Sequence, residues 1–307
     1  MTAMEEFYLP SKGQGRIRCG LWRPEVEPIA IVQIIHGIAE HIERYDHFAG
    51  WLSRQGVLVV AEDHMGHGKS WEEGQPKGRF YGGWEAAVAD CNQLRCKIQK
   101  EHPGVPYFLF GHSMGSFMAR NMLYRYPRAN LAGAVICGTG WMPEIVLRAG
   151  VGLCRLSVRK NGPDDVDDGL RSMIFGGYNA KIPLPRTDFD WLSTDEAQVD
   201  AYIADPMCGF AETASLDLDM LSGILQIQKK ENLDAMPRNL PVLFIAGSQD
   251  PVGGYGEGVV KCLSAFGKTG MEDLSMKLYP KGRHEILNEP WREQVYGDVF
   301  SWIVGKI

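Results

Sequence analysis

The stretch of this chain richest in chemistry is Gly111-His112-Ser113-Met114-Gly115. It follows the apolar run Tyr107-Phe108-Leu109-Phe110 and precedes the helix-forming Ser116-Phe117-Met118-Ala119-Arg120-Asn121-Met122-Leu123. A G-x-S-x-G between strand and helix puts its serine on a sharp, strained turn, with the hydroxyl pushed out above the sheet. The flanking glycines are needed where side chains would collide with neighbouring chain. Such a serine is a nucleophile once a base takes its proton, and the base needs a third group to hold its tautomer. His284, in Gly282-Arg283-His284-Glu285, is the candidate base. Asp250, in Gly247-Ser248-Gln249-Asp250-Pro251, is the candidate orienting acid, although an Asp before Pro also suits a plain loop. The chain order Ser113, Asp250, His284 is the one used with a G-x-S-x-G turn. Charge developing on an attacked carbonyl oxygen needs two backbone N–H donors. The motif places one on Met114 and the other on Ile38, in the loop His36-Gly37-Ile38-Ala39-Glu40. His36 itself reads as a loop-packing residue.

These residues must be held by a sheet. Two short strands are expected between Tyr8 and Trp22, around the turn Ser11 to Gly15. Continuous apolar runs at 29–35, 57–61, 107–110, 131–137 and 242–246 mark strands covered on both faces, and 274–279 is a last strand. Helical periodicity runs over about 44–55, with Tyr45, Phe48, Trp51 and Leu52 on one face, then over 85–100 and from about Pro290. Strand and helix alternation predicts a mainly parallel sheet with helices on both faces. Ser113, Asp250 and His284 each lie just past a strand's carboxyl end, where such sheets place their sites. From 139 to 236 no strand signal appears, only short helical patterns cut by turns. The expectation is a core of 1–138 and 237–307 with a helical cap, 139–236, inserted over the site.

The 307 residues are 45% apolar with a net charge of −6, which gives no basic field and argues against nucleic acid as a partner. The acidic start Met1-Thr2-Ala3-Met4-Glu5-Glu6 does not read as a secretory signal, and no apolar run is long enough to span a bilayer. Seven scattered cysteines without a C-x-x-C read as unpaired thiols, several of them small buried hydrophobes, in a reducing cytoplasm. Gly68-Lys69-Ser70 fails as a phosphate loop because position 63 is Asp rather than Gly. The glycines at 253, 254, 256 and 258 lack dinucleotide spacing, and His36/His41 and His64/His67 lack metalloprotease context. Asp164-Asp165-Val166-Asp167-Asp168 reads as a solvated loop. In 141–160, Arg148, Arg155 and Arg159 share one helical face, and Ile145, Val146, Leu153, Leu156 and Val158 fill much of the rest. This is either a helix packing its apolar side on the core or an interfacial one making transient contact with a membrane surface. Gly150 and Gly152 argue against a single long helix here.

The chain resembles the monoacylglycerol lipase and lysophospholipase branch of the α/β-hydrolase superfamily. The resemblance rests on His36-Gly37-Ile38-Ala39-Glu40-His41 with Arg44-Tyr45, on Asp63-His64-Met65-Gly66-His67-Gly68-Lys69-Ser70, on the Ser113 motif, and on Tyr202 with Asp205-Pro206. It implies an eight-stranded, mostly parallel α/β-hydrolase sheet and a triad of Ser113, Asp250 and His284. It further implies no metal or organic cofactor, a small-molecule acyl ester as substrate, and a cap shaping a lipophilic channel. Ala39 stands where the family usually has glycine, and Ile38 is larger than the common residue, so both are expected to crowd the acyl pocket. An aminopeptidase-like amidase or an acyltransferase would use the same acyl-enzyme, and a non-catalytic binding protein on this fold would normally lack part of the triad.

Overall fold

Strands that are apolar on both faces need cover on both sides, and the computed structural model shows how this chain supplies it. It describes residues 4–307; the first three residues of the acidic start lie outside them. The strands are β1 (Glu5–Pro10), β2 (Arg16–Trp22), β3 (Ala30–Ile35), β4 (Val57–Glu62), β5 (Tyr107–His112), β6 (Gly133–Cys137), β7 (Val242–Gly247) and β8 (Leu274–Tyr279). They form one sheet in the order β1-β2-β4-β3-β5-β6-β7-β8. Among the described residues only the β1–β2 and β2–β4 pairings are antiparallel.

One face is covered by α1 (Asp46–Arg54) and α10 (Arg292–Val304), through Phe48, Leu52, Val295, Val299 and Ile303. The other is covered by α2 (Gly83–Glu101), α3 (Met114–Arg125) and α9 (Glu257–Gly267), through Leu94, Phe117, Met122, Val259 and Phe266. Burying such side chains contributes about 1.5–3 kcal/mol each. The sequence reading missed α9, because the glycines before it end in Gly256 at φ +96°, a turn that hides the helical pattern.

The stretch 139–236 carries α4 (Glu144–Asn161), α5 (Asp168–Phe175), α6 (Glu196–Ala204), α7 (Ala214–Ile227) and α8 (Lys230–Asp234), and no strand. Two expectations here are corrected. Helix α4 runs unbroken despite its glycines, and a Cβ on Gly150 would lie 2.9 Å from Leu221 Cδ1 of α7, so this glycine permits close packing. Its core-facing side is Leu147, Val151, Cys154 and Ser157, whereas Ile145, Val146, Leu153 and Leu156 are exposed. The acidic run is also more than a solvated loop. The Asp167 carboxylate caps α5 by accepting the N–H groups of Gly169 and Leu170, and Asp164 pairs with Arg79.

Six of the seven cysteines are buried and Cys96 is exposed; all seven are free. Among the described residues no helix is long and apolar enough to cross a membrane.

Candidate active site

Sterics build the serine turn. Between the end of β5 and the start of α3, Ser113 is held at φ 53°, ψ −121°, a conformation that non-glycine residues adopt only under constraint. Its N–H donates to the Cys137 carbonyl at 3.0 Å, and its own carbonyl accepts from the Ser116 N–H at 2.9 Å and the Ser116 hydroxyl at 2.6 Å. A Cβ on Gly115 would sit 1.9 Å from the Ile35 carbonyl oxygen, and one on Gly111 would sit 2.4 Å from the Gly115 carbonyl oxygen. Neither position can carry a side chain. Met114 opens α3, so its N–H has no acceptor within the helix.

Asp250 and His284 follow β7 and β8 and are both buried. His284 Nδ1 faces Asp250 Oδ1 at 2.9 Å, and the same oxygen accepts the Val252 N–H at 2.9 Å. A carboxylate there favours the proton on Nδ1 and leaves Nε2 free to accept one. The loop around the imidazole is tied to the helical stretch 139–236. The N–H groups of His284 and Glu285 donate to the Trp191 and Leu192 carbonyls at 3.3 and 2.7 Å, and the Trp191 ring packs 5.1 Å from the imidazole.

The loop after β3 lies against the serine: a Cβ on Gly37 would come within 3.0 Å of Ser113 Cβ. His36 is buried, with Nδ1 against the Gly37 carbonyl at 2.7 Å and Nε2 accepting the His64 N–H at 3.0 Å. This supports the packing role read for it. Burial and the neighbouring His64 and His67 hold its basicity well below the ordinary histidine value. Burial likewise pushes His64 down to about 3 and His67 to about 4, so this cluster stays neutral.

Glu40 accepts the Gly37 N–H at 2.5 Å, the Tyr45 hydroxyl at 2.9 Å and Arg44 Nη1 at 2.9 Å. Arg44 also grips Glu285 with both ends of its guanidinium, at 2.5 and 2.7 Å. Burial raises the Glu40 and Glu285 carboxyls, but His112 and Arg44 outweigh it at Glu40 and Arg44 outweighs it at Glu285, so both remain below the carboxylate norm. One arginine therefore braces the loop carrying Ile38 to the loop carrying His284. The sequence motif contained Glu40 and Arg44, but nothing local pointed to Glu285 as their partner.

Ser113 and Ile38 stand where two cavities meet. The first, about 430 Å³, is lined by Met114, Phe117, Leu153, Met173, Met220 and Ile224 among others, with no charged residue. The second, about 460 Å³, is lined by His284, Glu40, Asp168, Arg171, Asn179 and Glu212 among others. The arrangement suits attack on the carbonyl of a molecule that is apolar at one end and polar at the other. Of the two residues expected to crowd the acyl pocket, Ile38 lines both cavities and Ala39 only the second. The rest of the apolar wall went unnamed, because helices α4, α5 and α7 supply most of it and periodicity alone does not say where they lie.

Two groups, His41/Asp205/Cys208 and Glu62/His64/Cys91, have the donor types and proximity for a metal. Some of their donors already serve the protein: His41 Nε2 meets Asp205 Oδ2 at 2.8 Å, Glu62 Oε2 accepts from Gln33, and His64 Nε2 meets the His36 carbonyl. Lys69 of the rejected phosphate-loop pattern donates its N–H to Asp63, whose other oxygen accepts the Ile42 N–H.

Residues 26–291 match the family described as serine aminopeptidase, S33. A monoacylglycerol lipase of Mycolicibacterium smegmatis is 31% identical over 298 residues, 96% of this chain and 95% of that protein. A thermostable carboxyl esterase from Bacillus coagulans, solved with glycerol, superposes with a TM-score of 0.86 at 30% identity, over 99% of each chain. A soluble variant of monoglyceride lipase from Saccharomyces cerevisiae shares the fold, with a TM-score of 0.82 at 20% identity, over 100% of this chain and 96% of that one.

Proposed function

Because the chain belongs to the serine aminopeptidase S33 family of α/β-hydrolases, we propose that it cleaves monoacylglycerols and related single-chain acyl esters with Ser113, His284 and Asp250. It is a carboxylic ester hydrolase; the substrate and the residue roles are the proposal. The observation that carries it is the position of Ser113 at the junction of an uncharged apolar cavity and a second one lined in part by charged side chains. The first suits an acyl chain and the second a polyol.

His284 Nε2 takes the proton from Ser113 Oγ as that oxygen attacks the ester carbonyl, and Asp250 steadies the resulting imidazolium. The Ile38 and Met114 N–H groups donate to the oxyanion, and donors of this kind are worth about 3–4 kcal/mol each. His284 then protonates the departing alcohol, and water repeats the sequence to release the fatty acid. Segment 139–236 acts as the cap. Its exposed Ile145, Leu156 and Met173 would rest on a membrane surface beside the apolar cavity. The free cysteines suit a reducing, cytoplasmic setting.

The test compares wild type and Ser113→Ala on 1-monoacylglycerols, p-nitrophenyl esters and aminoacyl anilides, with the lipid given as monomers and in anionic vesicles. The variant should lose fluorophosphonate labelling and at least about a thousandfold in kcat. Near-normal turnover would remove Ser113 from the chemistry. Preference for anilides would replace the ester reading, and no gain from vesicles would end the membrane contact.

A further inference from the structure

The loop that carries Ile38 is held from two sides. The Ile38 N–H belongs to the same peptide as the Gly37 carbonyl, which His36 Nδ1 holds from the core at 2.7 Å. At the next residue the backbone is strained: Ala39 is buried and has φ +52°, a left-handed conformation that favours glycine. Its carbonyl accepts two hydrogen bonds from the helical insertion, the Tyr202 hydroxyl at 3.0 Å and the Gly209 N–H at 3.0 Å. Two residues on, His41 Nε2 meets Asp205 Oδ2 at 2.8 Å, from the same short stretch of the insertion. The Tyr202 ring also lies under Arg44, 4.8 Å from centroid to guanidinium carbon. A strained conformation persists when its surroundings over-determine it, and here those surroundings lie about 160 residues away in sequence.

We propose that Tyr202 and Asp205 are positioning residues, and that 202–209 clasps the strained loop so that the Ile38 N–H stays aimed at the oxyanion. The inference rests on the ester-hydrolase reading above. Neither residue needs to touch the reacting atoms. The clasp makes the rate depend on the seating of the insertion, since the oxyanion contact is made only in the transition state. Tyr202 also borders the polar cavity, so direct binding of the alcohol is the competing role, and kinetic constants separate the two.

The experiment uses p-nitrophenyl butyrate, whose leaving group carries no polyol. Tyr202→Phe keeps the ring and removes the hydroxyl. It should lower kcat about tenfold, a misplaced donor costing less than a deleted one, and leave KM within about twofold. Asp205→Ala, which loosens the clasp at its other anchor, should give the same pattern. Adding Ala39→Gly to Tyr202→Phe should recover at least half of the lost rate on a logarithmic scale, because glycine takes the left-handed conformation without support. The clasp is overturned if kcat is unchanged in both single variants, if KM rises while kcat holds, or if Ala39→Gly recovers nothing. A wild type that hydrolyses no ester overturns the functional reading and the clasp with it. An active wild type with Tyr202→Phe and Asp205→Ala both unaffected overturns the clasp alone.

Discussion

The serine turn and the Ile38 loop sit side by side, yet they are held by different means. The turn is fixed by its own glycines, packed against β3, with partners at Ser116 and Cys137. The loop has one anchor in the core at His36, one across the site through Arg44 and Glu285, and a third at Tyr202 of α6. Local sterics make a motif that is complete within five residues. A loop stabilised by distant hydrogen bonds leaves only fragments in the sequence around it.

The sharpest way to break the contrast is on the turn. Gly115→Ala drives a methyl group into the Ile35 carbonyl, and it should cost more than about 4 kcal/mol or yield no folded protein. Urea unfolding close to wild type would mean that the turn is as adaptable as the loop. Next comes the brace. Arg44→Met leaves Glu285 buried without its cation and Glu40 paired with His112 alone, and should cost about 3 kcal/mol at neutral pH.

The sign of its pH dependence tests the cause. In wild type both carboxyls have lowered pKa values, so their contribution is present above the ordinary Glu value and lost as pH falls through the folded values. Without Arg44 burial raises Glu285, and Glu40 keeps only its His112 pairing, so the variant's deficit should shrink as pH falls from 7 to 5. A deficit that is flat with pH would assign the loss to packing instead.

The smallest effect concerns the neutral histidines under the loop. His64 and His67 have depressed values, so the unfolded chain binds their protons first and stability falls as pH drops below about 6.5. An imidazole that stays neutral at pH 5 costs about 2 kcal/mol there relative to pH 7. His67→Asn should therefore lose less stability than wild type between those two values, measured by urea midpoints. An equal loss would place the acid sensitivity elsewhere.

The legible parts of this protein follow the same division. The sheet could be read because most of its strands are apolar on both faces, and Ser113, Asp250 and His284 were named because each follows a strand. The apolar cavity could not. The exposed Ile145 and Leu156 of α4 look no different in sequence from the buried Leu147 and Val151, and only the approach of α7 at Gly150 decides which side faces inward. Glu285 and Tyr202 were invisible as partners of the Ile38 loop because their contacts span 241 and 163 positions of chain. Residues that act through distant backbone leave no local pattern to read.

The meeting of two unlike cavities at Ser113 has a consequence for the order of events. On the proposed mechanism the alcohol departs through the polar cavity while the acyl group stays in the apolar one. The same vacated space admits the next nucleophile, so water and any polyol present compete for one doorway to the acyl-enzyme. Partitioning between release and transfer is then set by the occupancy of that doorway rather than by the serine, its base or its acid.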